Sequence, residues 1–417
     1  MHTLIIGAGA SGLSAALELC SKGVAVTLLE ASDRIGGRIH TLQPEGFSME
    51  VEGGAEFIHG DLPLTRELMA RFGLPTVPIT GSYYGATGDG PQQIEAVSEE
   101  WDAFVSAMDA LETDMTVGAL LQRDFAAPHY AALRQDVHDR AQGLDLANID
   151  ELSVFCIREE WASEETEFRP VNGYGPLCDR MLQACSGDGF RLETETVVTR
   201  MEWEEGKVTA FADNRTFSAD AVIVTVPLPA LRRNQPEIVP EIGLSKQAEG
   251  VGWGEVIKVA LEFDAAFWEK DHPDLGFLFA DEGFTFWTQL SLSKPLLTGW
   301  IGNDYAPHYA DVTDSDLVAR TLAKLASAFP KESIGTRLRA SAVFRYTATS
   351  PTGGAYSWLK PESYAVLEQV AEGFGDTIFI AGEAWHPEHT ATVEGALQSG
   401  RDAAQRLWRR RSSREGW

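Results

Sequence analysis

The 417-residue chain is long enough for two domains or one large one, and its 44% hydrophobic content supplies a core. With 34 Lys plus Arg against 62 Asp plus Glu, the net charge of −28 makes nucleic acid and anionic membranes poor partners; it either draws in cationic small molecules or serves solubility. Cys20, Cys156, Cys178 and Cys185 are too few and too irregularly spaced for a disulfide framework or a zinc site, and no apolar run reaches the roughly 18 residues of a membrane span.

A short apolar run, Leu4 to Ile6, opens the chain and leaves no room ahead of it for a signal peptide, so a cytoplasmic protein is expected. Gly7-Ala8-Gly9-Ala10-Ser11-Gly12 follows with the G-x-G-x-x-G spacing of a dinucleotide site. Gly7 allows the tight turn, Gly9 lets backbone N–H groups approach a pyrophosphate, and Gly12 lets the helix pack on the sheet. The helix starting there directs its positive dipole end at the phosphates, with Ala10 and Ser11 in its first turn. Lys22-Gly23 closes it, and Val24 to Leu29 is a second buried strand that delivers Glu30 and Ala31 to its carboxyl end. A carboxylate there, 18 residues after Gly12, accepts hydrogen bonds from ribose hydroxyls. A plain βαβ unit with a tight turn is the bland alternative.

Asp33-Arg34-Ile35-Gly36-Gly37-Arg38 is a second glycine turn, with arginines able to neutralise a pyrophosphate. At these residues the chain resembles the flavin-dependent amine oxidases, a family that includes monoamine oxidases, polyamine oxidases and lysine-specific histone demethylases. In that family an R-x-G-G-R segment lies against FAD. The resemblance continues through Met49 to Gly60, MEVEGGAEFIHG, which is similar to a G-A-x-W-I-H-G segment of polyamine and spermine oxidases. It implies that Gly54, Ala55 and Glu56 border the cofactor and that His59 faces substrate; without it, a lone loop histidine reads as a satisfied surface group.

Leu64 to Leu74 reads as an amphipathic helix, and 80–95 as a Gly, Tyr and Gln-rich loop. Residues 97–185 are mostly helical by period, with Phe104, Met108 and Leu111 at i, i+4, i+7. Within that insert Glu159, Glu160, Glu164 and Glu165 form an acidic cluster, either a solvated face or the recognition element for a distal ammonium. The sheet resumes in β-rich segments at 192–201, 207–212 and 221–226, separated by hairpin turns. Val198 and Pro227 match family positions at the cofactor.

Strict alternation from Val256 to Phe263 sets Ile257, Val259, Leu261 and Phe263 on one face and Val256, Lys258, Ala260 and Glu262 on the other. By pattern alone Lys258 is a solvated edge lysine, since burying an unpaired ammonium is costly. The resemblance assigns it instead to a water held against flavin N5. Three β segments over 276–302 and a helix from Ser315 to Phe329, capped by Asp314 or Ser315, come next. Tyr356 falls at one aromatic wall of the family's amine cage, where a ring attracts an ammonium and aligns a neutral amine. Ala355 stands where monoamine oxidases bind flavin through cysteine, which implies non-covalent FAD, and Thr392 stands in place of their second cage tyrosine. Trp287, Trp300 and Trp385 are the candidates for the other wall. The closing strand ends at Gly382-Glu383, an acid similar to the one near the FAD ribityl chain, and a helix from Val393 aims its N-terminus at the flavin. The cluster Arg409-Arg410-Arg411 reads as a frayed, solvated helix end.

The fold expected is α/β: a discontinuous Rossmann-like FAD-binding domain (1–78, 188–242, 376–417) and a substrate domain of mixed β-sheet with inserted helices (79–187, 243–375). The expected reaction is oxidation of an amine to an imine, with O₂ reduced to H₂O₂, by a monomer or homodimer. A desaturase or porphyrinogen-type oxidase, and a flavin-binding protein without turnover, are the rival readings.

Overall fold

The computed structural model describes residues 1–60, 62–95, 97–163 and 166–415. A five-stranded parallel sheet places His2–Ile6 at its centre, with Ala25–Leu29 and Phe190–Glu193 on one side and Ala221–Val224 and Ile378–Ile380 on the other. Strand order therefore reverses at the first strand, and the crevice at its carboxyl end is where such sheets bind ligands. Parallel strands covered on both faces read as continuous apolar runs, and Leu4 and Ile5 are fully buried. One face packs on the first helix, Ala10–Ser21, and the closing helix, Val393–Glu415. The other packs on a four-stranded sheet formed by Val198–Glu204, Lys207–Ala212, Arg215–Ala219 and Glu237–Val239.

A seven-stranded mixed sheet runs in the order Leu338–Tyr346, Val256–Phe263, Lys294–Ile301, Phe284–Gln289, Leu275–Phe279, Ser82–Thr87, Gly90–Gln93. Ile257, Val259, Leu261 and Phe263 face the helix Asp314–Ala328 and build a core with Leu317 and Leu325. The helices Trp101–Asp109, Val117–Asp124, Ala131–Arg140 and Val154–Ala162 have their own core around Phe104, Met108, Leu120 and Trp161. Among the described residues no helix is long and apolar enough to cross a membrane.

Four expectations are corrected. The 80–95 segment is a hairpin rather than a loop, because Ser82–Thr87 finds a parallel partner in Leu275–Phe279, far along the chain. The lysine strand is no edge: Leu338–Tyr346 and Lys294–Ile301 flank it, and every residue from Val256 to Phe263 is buried. The cap of the Asp314–Ala328 helix is Thr313, whose side chain accepts from the Asp316 amide. The closing helix is not frayed at the arginines, since Arg410 pairs with Glu372 and Arg411 donates to the Asp220 carbonyl.

Gly400 brings the closing helix against the first one, and an added Cβ would fall 2.0 Å from the Ser11 carbonyl oxygen. Gly400→Ala should therefore force the helices apart, costing about 1–3 kcal/mol, and should lower the apparent melting temperature; an unchanged melting curve would contradict this packing.

Candidate active site

One connected cavity of ≈ 2260 Å³ joins the carboxyl end of the parallel sheet to the open face of the seven-stranded sheet. Gly7 leaves the first strand at φ 104°, a value that favours glycine. The two glycine turns lie side by side, the Gly36 amide donating to the Ala8 carbonyl at 2.8 Å. An added Cβ on Gly9 would meet nothing nearer than 3.8 Å, so the backbone there is open to a ligand. Glu30 accepts from the Ala8 amide at 2.7 Å and from Ser32. Arg34 donates to the carbonyls of Ile35, Gly37 and Ile39 and so shapes the second turn. Arg38 bridges Glu383 and the Ala355 carbonyl, each at 2.7 Å, while Glu383 also accepts from Ser357 and the Ala391 amide.

Of the residues assigned to the cofactor, Gly7, Gly9, Ala10, Ser11, Glu30, Ala31, Arg34, Gly36, Gly37, Arg38, Gly54, Ala55, Glu56, Val198, Pro227, Gly382, Glu383, Thr392 and Val393 all line this cavity. Gly12 does not; its added Cβ would fall 1.9 Å from the Gly7 carbonyl oxygen, so it acts through close packing. The hydroxyl of Ser11 is buried without a partner, an orphan at the first turn of a helix that opens on the cavity. An orphan donor, an open glycine backbone and a long cavity together fit a flavin dinucleotide, and Ala355 offers no thiol for a covalent bond.

The second half of the site is a buried ionic cluster. Lys258 is 2% exposed, and its Nζ donates to the Gly54 carbonyl at 2.9 Å and to Glu56 Oε2 at 2.8 Å. Glu56 Oε1 accepts from Trp287 Nε1 at 3.0 Å and Gln289 Nε2 at 2.6 Å, and Arg169 stands 3.4 Å away. Burial alone would raise the Glu56 carboxyl, but Lys258 and Arg169 outweigh it and hold it at about 2. The ammonium survives at the centre of a sheet because an ionised partner and a carbonyl replace its water.

Aromatic groups flank this cluster. Tyr356 donates from its hydroxyl to the Leu144 carbonyl at 2.5 Å, and Trp300 Nε1 donates to the Gly143 carbonyl at 2.8 Å. Both accepting carbonyls belong to a single π turn, Ala141–Asp145, closed by Leu146 at φ 54°. The Trp287 ring centroid lies 5.6 Å from that of Trp300 and 5.3 Å from that of Phe57. Thr392 caps the closing helix, accepting from the Gly395 amide at 2.9 Å. Trp385 is a correction: it packs with Leu4, Ile6 and Leu29 in the core and lines no part of the cavity.

His59 also lines the cavity and pairs with Glu167 at 2.8 Å. Burial opposes its protonation, yet the Glu167 carboxylate raises it to about 8. Burial, with Glu160 beside it, pushes the Asp145 carboxyl well above the usual carboxylate range. Glu159 and Glu160 line the cavity, whereas Glu164 and Glu165 lie outside the described residues. Sequence reasoning missed Arg169, Gln289 and Asp145, and it gave Glu56 a role at the cofactor rather than as the partner of Lys258. Nothing local marks Arg169 or Gln289, but the mid-strand lysine itself demands a carboxylate, which is a usable signal.

The model for flavin containing amine oxidoreductases matches residues 10–408. Polyamine oxidase 4 of Oryza sativa subsp. japonica is 26% identical over 445 residues, 98% of this chain and 88% of the relative. Lysine-specific histone demethylase 1 homolog 2 of Arabidopsis thaliana is 25% identical over 434 residues, 97% of this chain; the chain spans only 58% of its length. A putrescine oxidase solved with putrescine bound superposes with a TM-score of 0.84 at 20% identity, covering 98% of this chain and 99% of that one. Cyclohexylamine oxidase from Brevibacterium oxydans superposes at 0.80 and 20% identity, covering 99% of both. At that identity the two structures speak for the fold.

Two outcomes test this geometry. Lys258→Met leaves Glu56 buried with only Arg169 opposite and should cost about 3–5 kcal/mol; Lys258→Met/Glu56→Gln should melt closer to the wild type than the single variant, and additive losses would refute the pairing. His59 is raised above its ordinary 6.5 to about 8, so its pairing stabilises the fold fully below 6.5 and ceases as pH rises through 8. The melting-temperature advantage of wild type over His59→Gln should shrink across that window.

Proposed function

The chain belongs to the flavin containing amine oxidoreductases, and from that premise we propose that it is an FAD-dependent amine oxidase acting on small cationic amines, with di- and polyamines foremost. The observation that carries this reading is the single cavity: residues assigned to the cofactor line the same space as Lys258, Tyr356, Trp287 and Trp300. A division into a cofactor domain (1–78, 188–242, 376–417) and a substrate domain (79–187, 243–375) is part of the same proposal, with the cavity between the two sheets.

When bound, FAD supplies the two-electron sink that takes a hydride from the carbon bearing the amine and passes the electrons to O₂ as H₂O₂, leaving an imine that water hydrolyses. The glycine turns, Ser11 and Glu30 would hold the dinucleotide, and the N-terminus of the closing helix at Thr392-Val393 would favour negative charge beside it. Lys258, fixed by Glu56 and the Gly54 carbonyl, would orient a water or a polar edge at the reacting face. Tyr356 and Trp300 direct their polar atoms to the π turn, which leaves their ring surfaces to confine the amine and exclude water. Glu160, Glu167 and the −28 net charge favour entry of cations.

The deciding measurement is anaerobic bleaching of the bound flavin by a panel of primary amines, polyamines, N-methyl amines and L-amino acids, followed by admission of air and a peroxide assay. Bleaching by one amine class with peroxide on reoxidation is expected, and Lys258→Met should slow flavin reduction or reoxidation by about 10²-fold. Bound flavin that no amine bleaches would favour the desaturase or non-catalytic reading.

A further inference from the structure

Behind the ionic cluster lies a second, smaller cavity of ≈ 80 Å³, with room for about two or three waters. Glu56 lines both cavities. The rear cavity is bordered by Glu52, Arg169, Asn172 and Gln289 on one hand and by Val51, Leu292 and Leu296 on the other, and it reaches Glu50 and Lys294. Glu52 is its most unusual member. Its Oε1 accepts from Thr41 Oγ1 at 2.7 Å and from the Tyr174 amide at 2.5 Å, while its Oε2 is buried with no partner. A carboxylate oxygen shut away from water and unbonded costs free energy, so this oxygen either carries a proton or holds a water.

We infer that Glu52 and the rear cavity form a proton path from the Lys258–Glu56 pair to solvent, separate from the route by which the amine enters. The inference rests on the proposed amine oxidation, which creates the need for such a path. Amines arrive as ammonium ions near neutral pH, yet only the free amine, with its lone pair available, gives up a hydride from the adjacent carbon. One proton must therefore leave the bound ammonium before each turnover. The balanced step is R–NH₃⁺ plus Glu52 carboxylate giving R–NH₂ plus Glu52 carboxylic acid. The proton passes in sequence: Lys258 gives one of its own protons to Glu56 and is refilled from the substrate ammonium, Glu56 hands its proton to a water in the rear cavity, and that water protonates Glu52. Lys258 and Glu56 thus end as they began, and only Glu52 changes charge. It then returns its proton to bulk water past Glu50 and Lys294.

Every charged or titratable group facing Glu52 bears on this. Burial raises its carboxyl to about 7, with Glu56 pushing the same way, against Thr41, Lys258 and the Tyr174 amide, which lower it. Arg169, Lys294 and Glu50 share the rear cavity with it. Tyr174, Tyr346 and Cys178 feel its charge and are kept neutral by burial. Glu52 is thus poised to accept a proton above neutral pH and is already filled below it.

The test compares wild type, Glu52→Gln and Glu52→Asp as flavin-loaded proteins. In stopped-flow reduction by a bleaching amine, the wild-type rate should rise with pH through about 7 in addition to the amine's own ionisation. Glu52→Gln should lose that step and run about ten-fold slower at pH 8, and Glu52→Asp should restore it in part. Independently of any amine, infrared spectra in D₂O should contain a carboxylic C=O band that titrates near 7 in wild type and is missing from Glu52→Gln. Leu292→Phe, which fills the rear cavity, should keep the band and slow its exchange with solvent. An unchanged pH profile in Glu52→Gln, or a wild type with no such band, overturns the path. If no amine reduces the flavin, the proposed oxidation fails, while the infrared titration still decides whether Glu52 exchanges protons through the rear cavity.

Discussion

The site depends on how a lysine ammonium is kept at the centre of a β-sheet. Lys258 has a strand on each side, so its partners must come from above the sheet plane. They come from the segment Gly54–Glu56, which leads out of the short strand Val51–Glu52 and crosses that face. The same crossing buries Phe47 and Val51 against Ala260, and it places Ser48 on the second buried charge of the strand, Glu262. One loop therefore satisfies both polar residues of an otherwise apolar face. Arg169 and Gln289 then complete the shell around Glu56 from two further elements, so the charge cluster also fixes how sheet, loop and insert meet.

Much of the fold was legible because its signals are local. The glycine turn, the helix behind it, the second strand and Glu30 follow from spacing within thirty residues, and the parallel sheet forms as that unit requires. Lys258 was placed on the correct face by alternation but given the wrong environment, because alternation reports which residues share a face and says nothing about what covers it. The hairpin at 82–93 was hidden for a related reason: its stabilising partner lies at Leu275–Phe279, and a Gly and Tyr-rich stretch has no pattern of its own. Within the site, the cofactor cradle could be read from glycines whose role is conformational. The shell around Lys258 could not, because Arg169 and Gln289 converge only in three dimensions. Trp385 was one of three tryptophans open for the second wall, and it is taken up by the core instead.

Among the acids, environment separates roles that composition does not. Glu56, Glu52 and Asp145 are all withdrawn from water, yet Glu56 is held ionised by two cations, Glu52 is left near neutrality, and Asp145 is pushed up by Glu160. The arrangement assigns one carboxylate to an ion pair, one to proton exchange and one to the wall of the amine cavity. A net count of acidic residues describes solubility and attraction of cations, whereas these differences describe chemistry.

The π turn at Ala141–Asp145 gives its carbonyls to Trp300 and Tyr356, which come from two different parts of the chain. The turn ends its helix, whose last carbonyls have no partner within it, and here two of those free groups act as anchors. The helical insert is thereby tied to the rings that would confine the amine, through backbone rather than side chains. Exchange of side chains across the insert can then vary the mouth of the cavity while the ring positions persist. A single-residue deletion that relaxed the turn into a regular helix would shift both rings together, so the insert is free to drift in sequence but tightly limited in length at this point.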